Sequence, residues 1–269
     1  MCWVSLATAP LMSRRISLAG QDLARMDLKW VKRLNETLKV LKHTPGRFIY
    51  SSHTMKRPVL VCEGDAAFGN LRDGGSQGGF IISLRDWEGD TSYMLSHESK
   101  RIKRVVFGSL GAESKVQIRS MHRIKWTQQL WSSMTGVTIP IVMKSDCYSL
   151  VDASHSLANV NSHRALTKEV YGQREALKLE EVLSSSHTPG KDALADGMTK
   201  DYQKGRDIIW RAQRGVVSDR WKIGAVYSRW HGDARKVRAV LPPVLIATYD
   251  REGRQKKVMP QPSLLSSYS

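Results

Sequence analysis

Arg57-Pro58-Val59-Leu60-Val61-Cys62-Glu63-Gly64-Asp65 is the stretch whose reading decides the fold. After Pro58 comes a short apolar, β-branched run with a carboxylate close to its end, the pattern of a buried strand that delivers an acid to the edge of a sheet. Ile139-Pro140-Ile141-Val142-Met143-Lys144-Ser145-Asp146 repeats the arrangement for Asp146. Carboxyl ends of strands are where α/β sheets carry their sites. Two further acids have comparable settings. Glu113, in Ser109-Leu110-Gly111-Ala112-Glu113, opens a helix-like segment that runs through Val116, Ile118, Met121, Ile124 and Leu130. Asp196, in Leu194-Ala195-Asp196-Gly197-Met198-Thr199-Lys200, starts a helix just after the breaker pair Pro189-Gly190.

Outward from these blocks the periodicity alternates. Residues 23–41 place Met26, Leu28, Val31, Leu34, Leu38 and Leu41 at near-helical spacing among Lys and Arg, and Thr44-Pro45-Gly46 ends that helix. A β-rich stretch follows: Phe48-Ile49-Tyr50, residues 58–62, 79–84 and 92–95, with turns at Asp73-Gly74-Gly75 and Glu88-Gly89-Asp90. The period is helical from Gly108, extended at Ile139, helical again over 163–179, and extended around Val182-Leu183 before the Asp196 helix. That order predicts an α/β domain with a mixed sheet. A single Asp after a strand is ordinarily a turn former or helix cap. Four acids from four blocks suggest a two-metal nuclease, because hard cations need carboxylate oxygens from several elements.

The chain has 269 residues and 41% hydrophobic content, enough for one good core with appendages. Its net charge of +17 is uneven. Residues 57–200 hold 18 basic against 16 acidic side chains, whereas 1–56 hold 10 against 3 and 201–269 hold 14 against 6. Basic flanks around a near-neutral middle favour a polyanion, nucleic acid first, since each cation near a phosphate releases counterions. Cys2, Cys62 and Cys147 form no metal or disulfide pattern, which predicts a reducing intracellular setting, cytoplasm or nucleus. No apolar run is long enough to span a bilayer, and residues 1–12 lack the basic start of a secretory signal, so no membrane partner is expected. The eight Trp are mostly single and read as core residues.

Five blocks in order carry a family resemblance: Glu63-Gly64-Asp65-Ala66-Ala67-Phe68, Ser76-Gln77-Gly78-Gly79-Phe80, Ser109-Leu110-Gly111-Ala112-Glu113, Ser145-Asp146-Cys147-Tyr148-Ser149-Leu150 and Leu194-Ala195-Asp196-Gly197-Met198-Thr199-Lys200. The chain resembles the ribonuclease H domain of copia-type LTR retrotransposon Pol polyproteins. The separations of 48, 33 and 50 residues between successive acids suit that fold. Residues 34–50 are similar to the stretch that joins the reverse transcriptase to the nuclease. The resemblance covers roughly residues 2–222 and implies a remnant of the polymerase thumb or connection over 1–55 and a ribonuclease H-like domain over 56–200. Residues 201–269 read as a basic extension, partly helical and then, beyond about Trp221 where the chain is basic, Pro-containing and weakly periodic, partly disordered.

What the resemblance further implies is an α/β, ribonuclease H-like fold, a five-stranded mixed sheet flanked by helices, with Mg²⁺-dependent cleavage of the RNA strand of RNA–DNA hybrids and Mn²⁺ as a substitute ion. Asp65 would bridge two ions, with Glu113 and Asp146 completing one site and Asp196 the other. His187 takes the place of the mobile His that precedes the last acid in cellular ribonucleases H. Ser76, Gln77, Lys100, Arg101, Lys103 and Arg104 are the candidate contacts to the hybrid backbone. Gly64 and Ala66 depart from the family's usual neighbours of the first Asp. No Tyr-x-Asp-Asp polymerase signature occurs, so the expected chain is a C-terminal piece of Pol whose partner would be the remaining reverse transcriptase domain. An integrase would end its acidic set in Glu. The alternative is a catalytically silent nucleic-acid-binding remnant.

Overall fold

A computed structural model describes residues 9–21, 27–43, 48, 55, 57–87, 92–156, 164–200, 209, 212 and 213, the side chains of 164, 165 and 191 excepted. Five strands form one sheet: β1 (Pro58–Ala67), β2 (Ser76–Asp86), β3 (Ser92–Ile102), β4 (Ile141–Ser145) and β5 (Ser184–His187), in the order β3-β2-β1-β4-β5. β1 pairs antiparallel with β2 and parallel with β4; β2–β3 is antiparallel and β4–β5 parallel. The helices are α1 (Ser13–Gln21), α2 (Leu28–His43), α3 (Ser109–Thr135), α4 (Tyr148–His155), α5 (Arg164–Lys178) and the single turn α6 (Asp196–Thr199). This is the expected five-stranded mixed sheet with flanking helices.

β1 is central and reads as a nearly continuous buried strand because helices cover both of its faces. Alternation sends Leu60, Cys62 and Ala66 toward α3, where they meet Ala112, Val116 and Ile124. Val59 and Val61 face the other way, with Trp87 and Val142. Glu63 and Asp65 share that second parity, so the sequence places both carboxylates on the α6 side. The β1–β2 connection closes as a tight turn: Gly74 has a positive φ of 74°, its N–H donates to Leu71 O, and Gly75 N–H donates to Asp73 Oδ1. At the far end of α3, Gly136 caps the helix at φ 72°, donating to Ser132 O.

Beside Asp65 the sheet has no side chains to hold its helices away. Gly79 pairs with Asp65 in the β1–β2 register, and a Cβ there would stand 2.2 Å from Met198 Cβ. At Gly78, on the opposite face, a Cβ would stand 2.3 Å from Val116 Cγ2. These two glycines therefore allow α6 and α3 to lie directly on backbone.

Several elements differ from expectation. The helix expected over 23–41 begins at Leu28, where Asp27 caps it by accepting from Trp30 N–H at 2.7 Å. α1 and α4 fall outside the helices expected from the sequence, each being only two or three turns long. The last strand sits at Ser184–His187, just past Val182-Leu183; buried serines make a poor apolar signal, although Leu183 N–H already donates to Ile141 O. Trp87 is buried as expected, but Trp126 is exposed and carries the Arg123 guanidinium over its ring at 4.9 Å. The strand expected at residues 48–50 and the extension over 201–269 lie outside the described residues, apart from Phe48, Ile209, Ala212 and Gln213. Among the described residues no helix is long and apolar enough to cross a membrane.

Candidate active site

Three acids from three elements converge. Carboxylate oxygens of Asp65 (β1), Glu113 (fifth residue of α3) and Asp146 (just past β4) all lie within 4.8 Å of one another. Each is held by its backbone context. The parallel β1–β4 ladder runs to Gly64 and Ser145, so Asp65 and Asp146 emerge side by side. Ser145 Oγ accepts from Cys147 N–H at 3.1 Å and turns the chain immediately after Asp146. Glu113 reaches the strand through Oε1, which accepts from Ala66 N–H at 3.0 Å.

Asp196 stands beside this trio and not within it. It is 4% exposed, and its Oδ1 accepts from Lys200 Nζ at 2.5 Å. The same ammonium lies 3.9 Å from Asp65 Oδ1. Thr199 Oγ1 donates to Asp65 Oδ2. One helical turn thus offers Asp196, Thr199 and Lys200 to the same spot, because i, i+3 and i+4 share a face.

The electrostatics are those of carboxylates short of positive charge. Burial, then repulsion from Asp65 and Asp146, pushes Glu113 up to about 9. Burial also raises Asp65, to about 6, although the Thr199 hydroxyl and Lys200 pull it down while Asp146 and Asp196 push it up. Asp146 is raised for the same first reason, with Lys200 opposing and Asp196 adding. Burial works against the Lys200 ammonium, but its carboxylate neighbours outweigh it and its pKa rises. A set of hard oxygen donors, packed together and reluctant to ionise unaided, fits a hard metal cation.

His187 ends β5. Its Nε2 lies 3.1 Å from the Asp146 carbonyl oxygen, which can only accept, so Nε2 carries the proton. Tyr148 packs edge-on against its ring at 5.8 Å between centroids. The ring therefore sits at the site through the backbone of Asp146.

The candidate nucleic-acid contacts divide. Lys103 and Arg104 are exposed just beyond β3; Lys100 is exposed and pairs with Glu98, and Arg101 pairs with Asp73. Ser76 and Gln77 correct the expectation of a surface pair, being 4% and 0% exposed. Ser76 Oγ accepts from Gly69 N–H within the β1–β2 connection, and the Gln77 amide is tied to Ser17 and Gln21 of α1 and to Ser99. Gln77 thus acts as a joint between α1 and the sheet, and neither buried side chain is presented at the surface.

Sequence reasoning missed four groups that the structure brings to the site. Thr199 and Lys200 were legible, since they follow Asp196 at helical spacing. Glu63 was not. Its Oε1 binds the buried Arg85 guanidinium and its Oε2 accepts from Leu194 N–H at 2.9 Å, anchoring the segment that leads into Asp196. Arg14 donates from Nε to Thr199 O at 2.7 Å, across 185 residues of chain.

No family model matches the chain, and no curated protein matches it. Solved structures do. The chain is similar to the ribonuclease H1 of the halophilic archaeon Halobacterium salinarum NRC-1, at 16% identity over 55% of this chain and 98% of that one, with a TM-score of 0.40. It is similar to LC11-RNase H1, an enzyme isolated from compost by a metagenomic approach and solved in complex with an RNA/DNA hybrid, at 19% identity over 52% and 93%, with a TM-score of 0.38. It is also similar to the RNase H domain of prototype foamy virus, at 10% identity over 60% and 94%, with a TM-score of 0.33.

Proposed function

We propose that the chain is a metal-dependent endonuclease that cleaves the RNA strand of RNA–DNA hybrids, and that it derives from a copia-type Pol polyprotein. The observation that carries this reading is the convergence of Asp65, Glu113 and Asp146 within 4.8 Å, with burial holding Asp65 and Glu113 well above the usual carboxylate range. Carboxylates so placed demand compensating positive charge. Asp65, Glu113 and Asp146 would hold one Mg²⁺, with Mn²⁺ able to replace it, and Asp65 with Asp196 would hold a second. Bound there, divalent ions supply Lewis acidity and a more acidic water at neutral pH.

The chain's own groups do the positioning. Thr199 fixes the Asp65 carboxylate by hydrogen bonding to one oxygen, and Ala66 N–H fixes Glu113 by binding Oε1. Lys200 neutralises part of the acidic charge through Asp65 and Asp196. His187 is assigned the assisting role. Its Nε2 donates to the Asp146 carbonyl, which makes Nδ1 the ring's acceptor. Lys100, Arg101, Lys103 and Arg104 would meet the hybrid's backbone, and the basic flanks would add long-range attraction.

The test is incubation of the purified chain with a labelled RNA–DNA hybrid, with and without Mg²⁺ or Mn²⁺, beside duplex DNA and duplex RNA. Metal-dependent cutting of the RNA strand alone is expected, and Asp65→Asn should abolish it. Binding without cutting would make the silent remnant the better reading.

A further inference from the structure

A second site lies outside the acidic cluster, in a cleft of about 490 Å³ where α1 and α2 meet the β1–β2 turn and the end of β3. Its cations come from every one of these elements: Arg14 and Arg15 from α1, Arg33 from α2, Arg72 from the turn and Arg101 from β3. Among the described residues Glu36 and Asp73 are its acids, so that part of the lining carries a net of three positive charges, and every cation in it is arginine. A planar fork of donors matches a phosphate bidentately, which the point charge of lysine does not. Asn70 adds a neutral donor, because its Oδ1 is already engaged by Gln77 N–H and its NH₂ is what remains to offer.

The cleft shares a wall with the acidic site. Arg14 lines it and donates to Thr199 O, and Thr199 in turn donates to Asp65. An occupant of the cleft is thus one residue away from the group that orients the first carboxylate. Clefts of this volume ordinarily bind small molecules through apolar walls, whereas here charged and polar side chains predominate.

We propose that this arginine cleft grips consecutive phosphates of the nucleic-acid strand that continues from the acidic site, so that α1 and α2 form part of the substrate-binding surface. The proposal builds on the nuclease reading, but its observable is binding. With both flanking helices and the turn supplying the grip, strand placement relative to the carboxylates is set by the same contacts that hold α1 on the sheet.

The experiment measures hybrid binding by fluorescence anisotropy on the full chain, in EDTA, over a series of salt concentrations. Arg33→Gln combined with Arg72→Gln is compared with Lys168→Gln combined with Lys178→Gln on α5, which changes net charge equally away from the cleft. The slope of log affinity against log salt should become shallower by about 2 for the cleft pair and stay near the parent's for the α5 pair. Arg33→Lys with Arg72→Lys keeps the charge and should restore the slope, which guards against a folding defect in the Gln pair. Equal slopes for the cleft and α5 pairs would overturn the proposal. The two readings fail separately: a parent that does not cut but shows the cleft-dependent slope loses the nuclease reading alone, and one that cuts with an unchanged slope loses the cleft alone.

Discussion

Replacing Glu113 by Gln should stabilise the metal-free protein while it destroys the cation site. The sign follows from the direction of the shift. Glu113 is held up to about 9 in the folded chain against an ordinary 4.5. Below the ordinary value both folded and unfolded chains are protonated there, and nothing is lost. As pH rises past it, the unfolded chain gives up the proton while the folded chain keeps it, so stability falls by about 1.4 kcal/mol per pH unit until the folded value is reached. At about pH 8 the accumulated cost is at most about 5 kcal/mol. Gln carries the same shape, keeps an Oε1 to accept from Ala66 N–H, and never ionises. A gain approaching that ceiling corresponds to a rise in Tm of about 10 °C or more for a domain of this size. The assay is thermal or urea unfolding in EDTA at about pH 8 and again at about pH 4, where parent and variant should coincide. Saturating Mg²⁺ at pH 8 should then raise the parent's Tm and leave that of Glu113→Gln nearly unchanged. A variant that is less stable than the parent at pH 8 in EDTA would refute the reasoning, since it would show the carboxylate to be favourably solvated where it stands.

Gly79→Ala should cost about 1–3 kcal/mol in a urea melt and lower cleavage, because its Cβ would meet Met198 Cβ at 2.2 Å and push α6 away from Asp65. An unchanged melt would show that α6 shifts freely. Glu63→Gln should cost about 3–5 kcal/mol by leaving the buried Arg85 uncompensated, measured by the same unfolding; a cost under 1 kcal/mol would mean that water reaches Arg85. Lys200→Gln removes a partly exposed ammonium 3.9 Å from Asp65, so Mg²⁺ affinity by calorimetry at about pH 8.5 should rise about fivefold, the equivalent of about 1 kcal/mol. Weaker binding would mean that Lys200 organises the carboxylates and does not compete with the ion.

The acids were legible because strand ends and helix starts leave local marks. Pro58 to Asp65 and Ile139 to Asp146 announce themselves by an apolar run that stops at a carboxylate, and parallel pairing of β1 with β4 then brings the two together. Asp196 was visible through the breaker before it and Glu113 through the helical period after it. What stayed hidden depends on contacts between distant segments. Gln77 looks like a surface residue after a turn until α1, sixty residues earlier, is laid across it. Glu63 looks like one more strand-end acid until Arg85 and Leu194 are placed around it. The serines of β5 carry no apolar signal, and only the ladder to β4 makes them a strand.

Gly78 and Gly79 give the sheet an unusual gauge at one point. Where side chains set the separation of two helices, a lost or gained methyl can be absorbed by neighbours that repack. Here Met198 on one face and Val116 on the other lie against bare peptide at Gly79 and Gly78, so at this point the gap between the helix that carries Asp196 and the helix that carries Glu113 is one backbone thick. That thickness is set by bond lengths, and no rotamer change can take up an added methyl there.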